Sequence, residues 1–158
     1  LYKSGRSFEA ETERVDEASA DIVDWVHFEK TRAELGPGFI RILSYFREDG
    51  TKSVAQIEQA MREQNTAALV IPAHTIKGEA RQFGAEPLAA AAEQIENVAR
   101  LCVETRRFPD ELIKDVVELR RLFSQTMELF DRAVNPLVAR APAAGFGRRV
   151  HNQDFGRI

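Results

Sequence analysis

Apolar residues return along this chain at steps of three and four, the spacing of one helix face, and no stretch alternates convincingly as a half-buried strand would. Phe39, Ile42, Leu43, Phe46, Val54, Ile57 and Met61 make one stripe. Leu112, Val116, Leu119, Phe123, Met127, Phe130 and Val134 make another, and Pro136 stops it because proline has no backbone N–H and clashes with the preceding turn. Between them Leu88, Ala91, Ala92, Ile95, Ala99 and Cys102 form a stripe of mostly small side chains, which lets neighbouring helices approach closely. Pro87 suits the first turn of that helix, and Gly84 suits the left-handed end of the helix before it, which spans about Thr66 to Phe83. Upstream, Ile22, Val26 and Phe28 predict a short helix over 21–35 that Gly36-Pro37-Gly38 ends. Gly50 falls inside the long stripe, but its cost of about 1 kcal/mol relative to Ala is too small to break a helix packed on both sides.

The pattern therefore predicts an all-α fold, an antiparallel four-helix bundle with a short extra N-terminal helix and a C-terminal tail. Residues 21–135 form the bundle. Residues 1–20 are acidic and poor in large apolar groups, so they read as an arm, and the opening "LYKSGRS" reads as a polar leader. In residues 136–158, Arg140, Arg148, Arg149 and Arg157 outnumber Asp154, the composition of a flexible tail.

Composition narrows the function. At 158 residues with 44% hydrophobic content the chain can bury one core. A formal net charge of -3 provides no overall basic field, so nucleic acid is not an expected partner. A single cysteine excludes an internal disulfide, and no apolar run is long enough to span a membrane. The expected compartment is the cytoplasm.

The helix over 66–83 carries the densest chemistry, in "AHTIKG" at 73–78. With a turn of about 100° per residue, Leu69, Ile76, Ala80 and Phe83 fall roughly 180° to 240° from His74, so the histidine points away from the core. Gly78, Arg81, Ala67 and Val70 lie within about 40° of it, and Lys77 and Ile71 at about 60° on either side. A glycine one turn along removes steric cover from the ring. Lys77 and Arg81 add two cations that would stabilise an anion attached to the imidazole, such as a phosphoryl group with its charge of about -1.5 to -2.

The stretch "AHTIKGEARQFGAEPLAAAAEQIE" resembles the core of histidine-containing phosphotransfer (HPt) domains, with their A-H-x-L-K-G pattern, then L-G-A, then a further helix. Upstream, "ELGPGFIRILSYFREDGTKSVAQIEQA" is similar to the family's first interhelical turn and long second helix, so the likeness covers roughly 22–125. The resemblance implies that His74 is phosphorylated on Nε2, that Lys77 stabilises the charge and that Gly78 admits the partner. It also implies that Glu96 accepts a hydrogen bond from Nδ1–H, which would hold the tautomer that leaves Nε2 nucleophilic. Val70, Ile71, Arg81 and Gln82 are the expected contact surface. The implied partners are a response-regulator receiver domain, which would bring its own Mg²⁺, and a hybrid or sensor histidine kinase. No cofactor, no metal site and no kinase activity are expected of the chain itself, which would act as a monomeric phosphocarrier.

Two features depart from the family pattern. Glu79, Arg81 and Gln82 stand where small residues are usual, with Glu79 at about 140° from His74, and Pro72 predicts a kink just before His74. Rival readings lack their own motifs. No H-E-x-x-T-P box accompanies the histidine, "DFG" at 154–156 has no H-R-D or glycine-rich loop, and no two histidines have metal-ligand spacing. The alternative function is a docking module in which His74 is a bystander, and it would take up no acid-labile phosphoryl group.

Overall fold

After a helical stretch at 19–22, five α-helices follow one another in a computed structural model that describes residues 19–135: α1 (Trp25–Leu35), α2 (Phe39–Arg62), α3 (Val70–Gln82), α4 (Glu86–Glu104) and α5 (Ile113–Val134). Short 3₁₀ turns at Gly36–Gly38, Ala67–Leu69 and Asp110–Leu112 lead into α2, α3 and α5. Among the described residues there is no strand. The expected arm before Ser19 and the tail after Asn135 lie outside the described residues. The chain divides into two compact units, Leu1–Met127 and Glu128–Ile158, so the last turns of α5 belong to the second.

Within the first unit the predicted stripes are the core. Phe39, Phe46, Val54 and Ile57 on α2, Leu88, Ala92, Ile95 and Ala99 on α4, and Leu119 on α5 are buried. Leu69, Ile76, Ala80 and Phe83, the residues expected on the far side of α3 from His74, are fully buried. A chain of rings ties the elements together. Phe28 meets Phe39 edge-on at 5.3 Å, Phe39 meets Phe83 at 5.8 Å, Phe46 stacks on Phe83 at 5.6 Å and Phe123 meets Phe46 edge-on at 6.1 Å.

Three helices end in the same way. Asn65 N–H donates to Ala60 O at 2.9 Å, Ala85 N–H to Ala80 O at 2.9 Å and Arg107 N–H to Cys102 O at 2.8 Å, each closing a six-residue loop over the helix end. The residue just before each donor has positive φ: Gln64 at 55°, Gly84 at 80° and Arg106 at 53°. The sequence announces only the glycine, because the other two carry side chains that tolerate this conformation at a cost of about 1–2 kcal/mol.

The first helix departs from expectation. Asp24 caps it, its carboxylate accepting from His27 N–H at 3.1 Å, so α1 starts at Trp25 and the predicted 21–35 span is broken. Val26, expected on the buried stripe, is 84% exposed, whereas Val23 and Phe28 are buried. This helix holds the end of α3 through backbone atoms. Asp24 N–H donates to Gly84 O at 2.9 Å, and the Thr31 hydroxyl and His27 Nε2–H donate to Gln82 O at 2.8 and 3.1 Å. Carbonyls that the α3 C-terminus leaves without helical partners are thus satisfied from a neighbouring element.

Gly50 serves close packing. A Cβ there would lie 2.4 Å from Phe123 Cε2 and 2.7 Å from Cζ, and the Phe46 contact leaves that ring little room to move. Replacing Gly50 with Ala gains about 1 kcal/mol of helix propensity and incurs overpacking of about 1–3 kcal/mol. We expect Gly50→Ala to melt a few degrees below wild type; an equal or higher melting temperature would show that the ring yields freely.

Candidate functional site

Helix α3 sets the aim of the histidine from its first turn. The 3₁₀ turn at Ala67–Leu69 feeds directly into it, and Asn65 Oδ1 accepts from Ala68 N–H at 3.3 Å. Pro72 is the third residue of the α-helix, where a backbone N–H has no partner within the helix in any case. The expected kink before His74 is thus replaced by a helix start, and no ladder hydrogen bond is lost. Pro72 and Ala73 face inward and are buried, while the His74 side chain is 61% exposed.

The partner of the ring comes from α4. His74 Nδ1 lies 2.8 Å from Glu96 Oε2, and the Glu96 side chain is only 3% exposed. Lys77, one turn after His74, brings Nζ to 2.5 Å from Oε1, a tight ion contact off the best hydrogen-bonding direction. Arg100, one turn after Glu96, donates from Nε at 3.1 Å and from Nη2 at 2.8 Å to the same Oε2 that faces the ring. Burial pushes the Glu96 carboxyl up, but the Lys77 ammonium, the Arg100 guanidinium and the His74 ring against it outweigh that and hold the pKa down at about 2. Glu96 is therefore a carboxylate at neutral pH and can only accept. Nδ1 must then be the donor, so the neutral ring carries its lone pair on Nε2.

Two cations against one carboxylate leave a net positive charge next to the exposed ring. This arrangement favours an anion bonded to the imidazole more than a third cation. Gly78, one turn from His74, is exposed, and a Cβ there would meet none of the described residues within 4 Å. Ile71 is 77% exposed and Val70 half-buried, so the ring has apolar neighbours on the same face. Gln82 is also exposed, although its carbonyl is engaged by α1.

Arg81 does not lie free next to the ring. It reaches across to α4, with Nη2 2.8 Å from Glu93 Oε2 and Nε 3.5 Å from Glu86 Oε1. The expected second cation at the imidazole is instead Arg100, which the sequence reading passed over. Its signal was present, since Glu96 and Arg100 have the i,i+4 spacing of a helical ion pair.

Glu79 lies on the flank of α3 away from the site. It is half-buried, its Oε2 has no hydrogen-bond partner among the described residues, and burial together with nearby Asp49 pushes its pKa up to about 7. Unfolded, the same carboxyl ionises near its ordinary value of 4.5, so between there and about 7 the folded chain holds a proton that the unfolded chain has released. Stability therefore falls as pH rises through that window. We expect Glu79→Gln to melt higher than wild type at pH 8, with the gap closing below pH 5; a gap independent of pH would mean that Glu79 ionises normally.

Among the described residues no three His, Cys, Asp or Glu side chains cluster as metal ligands would, and no helix is long and apolar enough to cross a membrane. The groove lined by Glu58, Met61, Arg62, Ile113, Val116 and Val117 does not include His74, whose side chain is exposed on α3.

Residues 41–129, more than half of the chain, match the family model of the Hpt domain. The chain is also similar in structure to histidine-containing phosphotransfer protein B (HptB) from Pseudomonas aeruginosa PAO1, with a TM-score of 0.62 at 21% identity over 72% of this chain and 95% of that one. No curated protein matches the sequence.

Proposed function

This chain belongs to the Hpt domain family, a family of histidine phosphotransfer, and from that premise we propose that His74 carries the phosphoryl group between receiver-domain aspartates. The observation that supports this most directly is the buried Glu96 carboxylate 2.8 Å from Nδ1, with the rest of the ring exposed beside an uncovered glycine. Nε2 attacks the phosphorus of an aspartyl phosphate, and the Nε2–P bond forms as the P–O bond breaks. The aspartate leaves with the electron pair as a carboxylate. Nδ1–H stays hydrogen-bonded to Glu96, which stabilises the positive charge that develops on the ring, and Lys77, one turn along the helix from His74, is the cation we assign to the incoming phosphoryl oxygens.

In this reading the chain needs no nucleotide site. The receiver partner supplies the Mg²⁺ that neutralises its own aspartyl phosphate, and this chain supplies an aimed nucleophile and the face around it formed by Val70, Ile71 and Gly78. It acts as a phosphocarrier with no kinase activity of its own. The test is to incubate the protein with a phosphorylated receiver domain and Mg²⁺ and to follow the chain by phosphorus-31 NMR. We expect an acid-labile, alkali-stable phosphoryl group with the chemical shift of Nε2-phosphohistidine. A chain that binds the receiver without acquiring the group is a docking module, and a signal from Nδ1-phosphohistidine would overturn the assigned tautomer.

A further inference from the structure

One carboxylate oxygen at the site serves three donors. Glu96 Oε2 accepts from His74 Nδ1 at 2.8 Å, from Arg100 Nη2 at 2.8 Å and from Arg100 Nε at 3.1 Å. Among the described residues Oε1 is paired with Lys77. The charged groups on this carboxylate come from two helices, His74 and Lys77 from α3 and Arg100 from α4, while the neighbouring Arg81 and Glu93 are paired with each other. Lys77 meets the other carboxylate oxygen. Arg100, in contrast, competes with the ring for one oxygen.

Resting on the reading of His74 above, we infer that Arg100 is a positioning residue that weakens the hold of Glu96 on the Nδ1 proton, and so prolongs the life of the phosphoryl group on the ring. Receipt of the group with Nδ1–H in place gives an N-phosphorylated imidazolium. Loss of the Nδ1 proton to solvent gives the neutral phosphoimidazole. Breaking the N–P bond of the cation releases neutral imidazole, a good leaving group, whereas breaking that of the neutral form must expel imidazolate, a poor one. The cationic fraction thus governs departure of the phosphoryl group to water or to a receiver. Glu96 raises that fraction by accepting Nδ1–H, and Arg100 lowers it by drawing on the same lone pairs and adding positive charge one hydrogen bond away. The Arg100 side chain is 55% exposed, so solvent screens the effect and it is a modest tuning.

The experiment compares wild type, Arg100→Gln, Arg100→Lys and Glu96→Ala. In the phosphorylated proteins, the pH profile of phosphohistidine loss should move upward by about half a unit in Arg100→Gln, making loss about threefold faster near neutral pH, and Arg100→Lys should restore most of the difference. Nitrogen-15 NMR of the unphosphorylated imidazole should show the Nδ1–H tautomer retained in Arg100→Gln, with its titration curve displaced in the same direction. An unmoved profile overturns the inference. So does loss of the Nδ1–H signature in Arg100→Gln with slower transfer, as in Glu96→Ala, because Arg100 would then serve only to hold Glu96 in place. Failure of the wild type to accept a phosphoryl group would defeat the proposed function, while the nitrogen-15 titration would still decide whether Arg100 controls the Nδ1 proton.

Discussion

His74→Gln should lose all phosphoryl acceptance from a phosphorylated receiver and keep the melting curve of the wild type. The amide nitrogen of glutamine has its lone pair delocalised into the carbonyl, so nothing at position 74 can attack phosphorus. The ring contributes little to folding, since its side chain is 61% exposed and the buried residues of α3 lie on the other side. Glu96 keeps Lys77 and Arg100 when the imidazole is gone, so the change strands no buried charge. Surface substitutions of this kind shift stability by about 0.5 kcal/mol or less. Labelling with a phosphorylated receiver, run beside thermal melts followed by circular dichroism, reads both halves. Retained label in His74→Gln would place the acceptor elsewhere.

Gly78→Gln should separate transfer from stability in the opposite sense, with transfer lost and the melting temperature unchanged or raised. A Cβ at position 78 would meet none of the described residues within 4 Å, so the folded chain accommodates the side chain in solvent. Glycine inside a helix also costs about 1 kcal/mol relative to good helix formers, a penalty that glutamine removes. The approaching receiver, however, must bring its aspartyl phosphate to reacting distance of Nε2, about 3–3.5 Å, and a long side chain one turn from the ring occupies that approach. Transfer rates and receiver binding measured on the purified variant decide the matter. Transfer at the wild-type rate would mean that the partner approaches from another side, over Ile71 or across α4.

What the sequence determined by itself is what depends on chain-local geometry. The period of the stripes through Phe39–Met61, Leu88–Cys102 and Leu112–Met127 decides which face of each helix is apolar, because side-chain direction follows from the turn of the backbone alone. The same arithmetic gave His74 its outward direction and Gly78 its place beside it. Where a residue carries an unambiguous local preference, as Gly84 does at the end of α3, the helix boundary was legible too. Where two local solutions compete, it was not. Pro72 could kink a helix or start one, and Asp24 could lie within a helix or cap it; the packing of α1 onto the end of α3 and the 3₁₀ turn at Ala67–Leu69 made those choices.

The pairing of charges across the two helices of the site belongs to the tertiary structure. Which charges meet depends on the register of α3 against α4, and one turn of slip, about 5.4 Å, would exchange the partners. That register puts the Glu96 carboxylate, already paired with Arg100 along α4, under Nδ1 and turns Arg81 away to Glu93. The sequence shows that a carboxylate and several cations lie on facing helices. Packing of the buried stripe of α4, through Ala92, Ile95 and Ala99, fixes the height at which they face each other, because the close-packed core admits one interlocking of the two helices.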